Sequence, residues 1–183
     1  LLKSSLDYMN AHKEVGILGC KVILSNGSVQ RTCGRFPSIF GELFEYTLGQ
    51  LLPFNSYYKK FKYMYDFSYD RIINVDWLCG VYLFIRREVV YSIGKLDEDF
   101  KIYFEDSEYC HRVRTKTNYK ICYNPDSYLT HYHGATMDKT IRKNSYRSFI
   151  ISLNSCFTYF KKVKGNFKGS LFKSTMFFLH TII

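Results

Sequence analysis

Residues 103–112 read Tyr103-Phe104-Glu105-Asp106-Ser107-Glu108-Tyr109-Cys110-His111-Arg112. This run predicts a helix from Asp106 to Lys116, with two neighbouring carboxylates at its N-terminus. The helix dipole favours acids in this place, and most of them only cap the helix. A neighbouring acid and apolar surroundings, however, shift the pKa of a carboxyl group. A carboxylate with a shifted pKa can accept a proton from a hydroxyl. Capping and proton transfer therefore both remain open for Asp106.

Strands and helices alternate on both sides of this run, which is typical of an α/β fold. We predict buried strands at 15–24 and 80–85, and shorter strands at 29–33, 119–123 and 128–131. We predict helices at 1–12, 86–94 and 144–162, and turns at 25–28 and 124–126. The aromatic segment 57–65 alternates rings with lysines. Such a segment could stack bases or sugars, but we favour a loop whose rings pack on the domain.

The positive charge of the chain is concentrated near its C-terminal end. The 183 residues carry 26 basic and 16 acidic side chains, a net charge of +10, yet no Asp or Glu follows Asp138. We therefore divide the chain into a nearly neutral domain, residues 1–138, and a basic amphipathic extension, residues 139–183. One face of the helix predicted in the extension carries Phe149, Leu153, Phe157 and Phe160. This pattern predicts contact with an anionic membrane surface and no binding of nucleic acid.

Three features of the sequence bear on metal binding. His131 and His133 are two residues apart, so on a strand they would point the same way, but two histidines do not complete a metal site. Residues 97–99 match the Asp-x-Asp pattern that holds a metal ion in many enzymes. Because they lie in a predicted connecting turn, we interpret them as unrelated to metal binding. The six cysteines include no Cys-x-x-Cys pair, so we predict reduced, buried thiols rather than a zinc site.

Several motifs occur in a recognisable order. They are Asp76-Trp77-Leu78-Cys79-Gly80, Arg86-Arg87, Gly94-Lys95-Leu96-Asp97-Glu98, the run at 103–112, Asn124-Pro125-Asp126-Ser127 and His131-Tyr132-His133-Gly134-Ala135-Thr136. In order and spacing they resemble the C-terminal half of the catalytic domain of family 2 glycosyltransferases, close to the bacterial rhamnosyltransferase-like group. The resemblance covers about residues 1–165. It implies part of a GT-A fold, which is α/β and Rossmann-like, followed by C-terminal amphipathic helices.

The resemblance also implies a role for each matching residue. Asp106 would be the general base of an inverting transfer. The residues that would bind substrate are Trp77, Gly80, Glu105, Asp97, Glu98 and Arg112. His131 would lie nearest the metal, with His133 as the second choice.

The implied reaction moves a hexose or deoxyhexose from a nucleotide sugar to a glycan or lipid-linked acceptor in cell-surface polysaccharide synthesis. It requires Mn²⁺ or Mg²⁺, whose main Asp-x-Asp ligands we expect upstream of residue 1. We therefore expect this chain to hold the acceptor half of the site and to be inactive alone. The expected location is cytoplasmic, peripheral to the inner face of the cell membrane. The alternative is a non-catalytic carbohydrate- or membrane-binding module that uses Trp77 and the tyrosines as platforms.

Overall fold

The computed structural model describes residues 1–47, 54–64, 66–132 and 145–181. Its helices are α1 (Leu2–Ala11), α2 (Ile39–Glu45), α3 (Phe54–Lys62), α4 (Arg87–Ile93), α5 (Glu105–Lys116), α6 (Ser145–Lys164) and α7 (Asn166–Thr181). Its strands are β1 (Val15–Leu24), β2 (Val29–Gln30), β3 (Cys33–Gly34), β4 (Ile73–Asn74), β5 (Trp77–Leu78), β6 (Phe84–Ile85) and β7 (Lys120–His131). The predicted α/β class is confirmed. The predicted boundary between residues 138 and 139 lies outside the described residues.

The main sheet is built on β1, whose first six residues are buried. A run of apolar residues without alternation is what a strand covered on both faces requires. β1 pairs with β7 in parallel and with β2 and β6 antiparallel, and β4 pairs antiparallel with β7. A second, two-stranded sheet joins β3 to β5 and places Gly34 opposite Trp77. The fold is therefore mixed α/β with a mixed sheet.

The strand predicted at 80–85 is wrong in extent, because only Phe84–Ile85 pairs with β1. Residues 80 and 81 form a turn instead, in which the backbone N–H of Tyr82 donates to the carbonyl of Cys79 at 3.3 Å. The backbone N–H of Gly80 donates to the Asp106 carboxylate at 2.9 Å rather than to a neighbouring strand. A contact with a distant carboxylate therefore replaces the predicted strand pairing here.

The turn predicted at 124–126 is a bulge inside β7. While β1 advances by one residue, its partner on β7 jumps from Asn124 to Tyr128. The side chain of Asn124 accepts a hydrogen bond from the backbone N–H of Asp126 at 2.8 Å, which closes the bulge locally. Pro125 has no backbone N–H to donate, and it is tolerated because a bulge requires no ladder hydrogen bond at this position.

The aromatic segment 57–65, predicted as a loop, lies largely in helix α3, and its last residue lies outside the described residues. Tyr58 and Lys62, four residues apart, share the inward face of this helix, and Phe61 is exposed. The alternation of rings and lysines is thus compatible with helical spacing. In α1, Leu2, Leu6 and Met9 fall at helical spacing, but only Met9 of these three is buried.

The two C-terminal helices form a hairpin that packs on the rest of the protein. Gly165, with φ of 89°, makes the turn between α6 and α7. At Gly169 the helices come so close that an added Cβ would lie 2.6 Å from the Cα of Lys161. Their inner faces form the C-terminal cluster with Phe100 and Phe104, and its other buried members are Cys156, Tyr159, Phe160, Phe172 and Met176. Of the four ring and leucine side chains predicted on one face of α6, Phe160 is buried and the other three are half-buried.

Candidate functional site

A cavity of about 280 Å³ opens at the N-terminus of α5. Its size is near the lower end of small-molecule sites, roughly 300–1,000 Å³. The aromatic residues of its wall are Tyr46, Tyr63, Trp77, Tyr103 and Phe104, and its charged residues are Glu45, Lys62 and Asp106. Apolar walls with a few placed charges are typical of a site that orients a polar ligand.

Asp106 is held at this cavity by two backbone N–H groups. One carboxylate oxygen accepts from Gly80 at 2.9 Å and the other from Ser107 at 2.6 Å. The residue that caps α5 is Phe104, and its side chain makes no capping hydrogen bond. The carboxylate of Asp106 therefore links α5 to the turn at Gly80, and its role is more than that of a simple helix cap.

The acidic pair has shifted proton affinities. Burial raises the pKa of Asp106, although the N–H groups of Gly80 and Ser107 act in the opposite direction. Burial, and then the charge of Asp106, raise the pKa of Glu105. One oxygen of Glu105 is buried and has no hydrogen-bond partner within the described part of the chain. A carboxyl group with a raised pKa takes up a proton more readily near neutral pH.

The backbone just before α5 is strained. Tyr103 and Phe104 both have a φ of 69°, in the left-handed region. This conformation costs about 1–2 kcal/mol for each residue that is not glycine. Strain of this kind collects at functional sites, where the surrounding packing holds it. Here the packing is the C-terminal cluster, in which the ring of Phe104 lies 5.5 Å from that of Tyr159.

Trp77 lines the cavity but is not an open platform. The residue is only 7% exposed. Its indole N–H donates to the backbone carbonyl of Arg35 at 2.8 Å, and its ring meets that of Tyr63 edge-on at 6.2 Å. Trp77 therefore shapes the wall, as core tryptophans do. The neighbouring Cys79 also lines the cavity, and burial, followed by the charge of Asp106, raises its pKa to about 11.

A charged cluster that the sequence analysis missed lies on another part of the cavity wall. The ammonium of Lys62 lies 2.6 Å from Glu42 and 3.0 Å from Glu45, and Tyr58 donates to Glu42 at 2.7 Å. Burial acts to lower the pKa of Lys62, but the facing carboxylates outweigh it, so the pKa is raised. The sequence contained one signal for this cluster. Glu42 and Glu45 are three residues apart in an aromatic segment, and Lys62 lies at the end of the next helix.

The predicted substrate residues Asp97 and Glu98 do not line this cavity. Asp97 and Asp99 each lie 2.7 Å from the ammonium of Lys162 on α6. The hydrogen bond from Lys162 lowers the pKa of Asp97. Lys162 therefore pairs with both carboxylates of this Asp-x-Asp, which we continue to interpret as unrelated to metal binding. Glu98 is exposed.

Arg112, also predicted to bind substrate, joins α5 to the end of α4. Its guanidinium contacts Glu108 at 2.8 Å and donates to the backbone carbonyls of Ile93 at 2.6 Å and Lys95 at 2.9 Å. Basic groups at a helix C-terminus satisfy carbonyls that have no partner within the helix. The structure therefore places Arg112 away from the cavity lining, in a structural contact.

His131, the predicted metal ligand, lies at the end of β7 and is not part of the cavity lining. Its Nδ1 atom lies 2.7 Å from the side-chain oxygen of Gln30. His133 lies outside the described residues. Among the described residues, no group of three or more His, Cys, Asp or Glu could hold a metal ion.

No protein-family model matches the chain, and searches of curated proteins and of solved structures return no match. Within the described residues, no helix is both long and apolar enough to cross a membrane. The fold and the cavity define an α/β protein in which Asp106, next to Glu105 in the first turn of α5, lines an aromatic-walled cavity.

Proposed function

We propose that the chain contributes the acceptor half of an inverting glycosyltransferase, in which Asp106 is the base. The donor would be a nucleotide sugar, and the acceptor a glycan or lipid-linked sugar at the cytoplasmic face of a membrane. The observation that carries the proposal is the Asp106 carboxylate, fixed by Gly80 and Ser107 in an aromatic-walled cavity. Support also comes from the sequence resemblance, whose expected base is this same residue.

The proposed step moves one proton to Asp106 and one glycosyl group to the acceptor. A hydroxyl of the acceptor gives its proton to Asp106 while its oxygen bonds to the anomeric carbon of the donor. The bond from that carbon to the diphosphate breaks, and the electron pair leaves with the nucleoside diphosphate. Attack from the side opposite the leaving group inverts the anomeric centre. The raised pKa of Asp106 suits this task, because a base is most effective when its pKa approaches the working pH.

The residues beside Asp106 would position the acceptor. Glu105 adds a second carboxylate next to the base, and the backbone of Gly80 leaves room beside it. An added Cβ at Gly80 would lie 3.9 Å from the nearest Asp106 and Glu105 atoms. The ring of Tyr103, which is 46% exposed, would pack on the apolar face of a sugar, and Trp77 would shape the cavity wall.

The proposal includes Mn²⁺ or Mg²⁺. Of the two histidines expected near it, His131 lies among the described residues, and its Nδ1 atom contacts the side-chain oxygen of Gln30. No step above depends on the metal. Its main ligands, expected upstream of residue 1, stay a prediction.

The test compares Asp106→Asn with the matched change Asp99→Asn in the protein that includes the expected upstream acids. Sugar transfer and nucleotide-sugar hydrolysis are measured with either metal ion, and circular dichroism checks the fold. Loss of a general base lowers the rate by about 10²–10⁴-fold, so we expect such a loss for Asp106→Asn. Asp99 pairs with Lys162 away from the cavity, and its change should leave turnover intact. Near-normal turnover in Asp106→Asn would contradict the assignment.

The alternative is a non-catalytic carbohydrate- or membrane-binding module. It needs an accessible aromatic platform. Trp77 is buried, so this role would fall to tyrosines such as Tyr103, which is 46% exposed at the cavity. Sugar binding that is unchanged in Asp106→Asn, together with no turnover under any condition, would favour this alternative.

A further inference from the structure

We propose that the outer face of α7 docks on the surface of an anionic lipid bilayer. This face is defined by Phe167, Leu171, Phe177 and Phe178, whose exposed fractions range from 57% to 80%. At about 100° per residue these four side chains span an arc of roughly 120°. Single exposed apolar residues are ordinary, whereas several on one side of a helix mark an interaction surface. Two exposed serines, Ser170 and Ser174, lie within the same arc.

The opposite face of α7 is already used. Phe172 and Met176 are each 1% exposed and belong to the C-terminal cluster. The close approach of Gly169 to Lys161 fixes α7 against α6, so the outer face is presented outward without any rearrangement. Membrane contact was predicted from the amphipathic pattern of α6, but the buried face of α6 packs inside the protein. The structure assigns the contact to α7.

The charges around this face identify the occupant. Lys168 and Lys173 lie at its two borders by helical spacing, and Lys161 and Lys164 follow on the adjoining end of α6. All four lysines are exposed, and no acid occurs anywhere after Asp138. A helix with rings and leucine on one side and lysines at its flanks lies in the interfacial plane of an anionic membrane.

The same charges argue against a second copy of this chain as the occupant. Pairing of two α7 faces would bring lysines of equal sign together with no carboxylate from either helix to offset them. The membrane surface supplies both the apolar layer and the negative charge. The inference deepens the proposed function by naming the surface that brings the protein to a lipid-linked acceptor, and it is tested without turnover.

The experiment measures co-flotation of the full chain with two kinds of vesicle. One kind contains phosphatidylcholine alone, and the other also contains phosphatidylserine. We expect binding to the second kind that weakens as salt rises but persists in part, because apolar insertion is not screened. The double variant Phe167→Ser/Phe177→Ser should bind at least about tenfold more weakly, with an unchanged circular dichroism spectrum.

The matched control is Tyr91→Ser, which removes a ring that is 77% exposed on α4 and should leave vesicle binding unchanged. Equal vesicle binding by the double variant and the unmodified chain would overturn the proposal. A chain that ignores both kinds of vesicle but forms dimers, with dimers lost in the double variant, would also overturn it and identify a protein interface. Neither result would bear on Asp106, since vesicle binding needs no catalysis.

Discussion

Replacing Phe172 by alanine tests whether the C-terminal helices are a cooperative part of the fold. Phe172 is 1% exposed, and its ring lies 4.8 Å from that of Phe160 and 5.5 Å from that of Phe157. It therefore connects α7 to α6 at the centre of the C-terminal cluster. Phe177, five residues later on the same helix, is 74% exposed and gives a matched control.

The size of the effect follows from the burial. A buried phenylalanine removes about 150–250 Å² from water. At about 25 cal/mol per Å² this burial is worth about 4–6 kcal/mol, of which alanine keeps a part. With the cavity that remains, we expect Phe172→Ala to lower the free energy of unfolding by about 3–5 kcal/mol. The change Phe177→Ala should stay within about 0.5 kcal/mol.

The assay is urea denaturation of the full chain followed by circular dichroism. A single transition shifted to lower urea in Phe172→Ala, with an unshifted one in Phe177→Ala, is the expected result. If α6 and α7 were loosely attached, the main transition of Phe172→Ala would coincide with that of the unmodified chain. Equal midpoints for the two variants would refute the packing argument.

Three further changes probe the cavity and its surroundings. Burial raises the pKa of Asp106 in the folded state, so its contribution to stability is complete below the unfolded-state pKa and is lost as the pH rises through the folded-state pKa. Asp106→Asn should flatten this decline in denaturation series from about pH 3 to 7, and an equally steep decline would contradict the argument. Lys62→Met leaves the buried Glu42 without its cation and should cost about 3–5 kcal/mol, part of which Glu42→Gln restores in a double-mutant cycle. Gly34→Ala places a Cβ against the backbone oxygen of Lys62, so its thermal midpoint should fall by an amount equivalent to about 1–3 kcal/mol.

The sequence alone predicts those strands and helices whose residue pattern lies within the element itself. The strand predicted at 15–24 has the bounds of β1, because a run of β-branched and apolar residues needs cover on both faces. The helix predicted from Asp106 to Lys116 begins one residue earlier, at Glu105. In both cases the pattern lies within the element itself.

Elements that depend on distant partners could not be predicted. The turn at Gly80 exists because its N–H contacts Asp106, 26 residues later, and no local pattern records that contact. Lys62 is buried because Glu42 and Glu45 come from another helix. A lysine in an aromatic segment otherwise predicts an exposed position.

The candidate site likewise combines features that the local sequence predicts with contacts that depend on distant parts of the chain. Asp106 and Glu105 lie together in the first turn of α5, as their local sequence predicts, whereas the contact of Asp106 with Gly80 joins segments 26 residues apart. Arg112 is four residues after Glu108 on α5, and this spacing already favours an ion pair along the helix. Its further contacts with the end of α4 depend on how two helices pack, which the sequence does not display.

Trp77 is the sole tryptophan of the chain, and it forms part of the cavity wall. Excitation at wavelengths that tyrosine does not absorb therefore reports on this one place alone. Indole emission shifts to longer wavelength when water or polar groups reach the ring, and Trp77 is only 7% exposed to solvent. A molecule that enters the cavity and touches the indole would change the colour or intensity of this emission. The protein thus carries its own optical probe for candidate donors and acceptors, with no label attached.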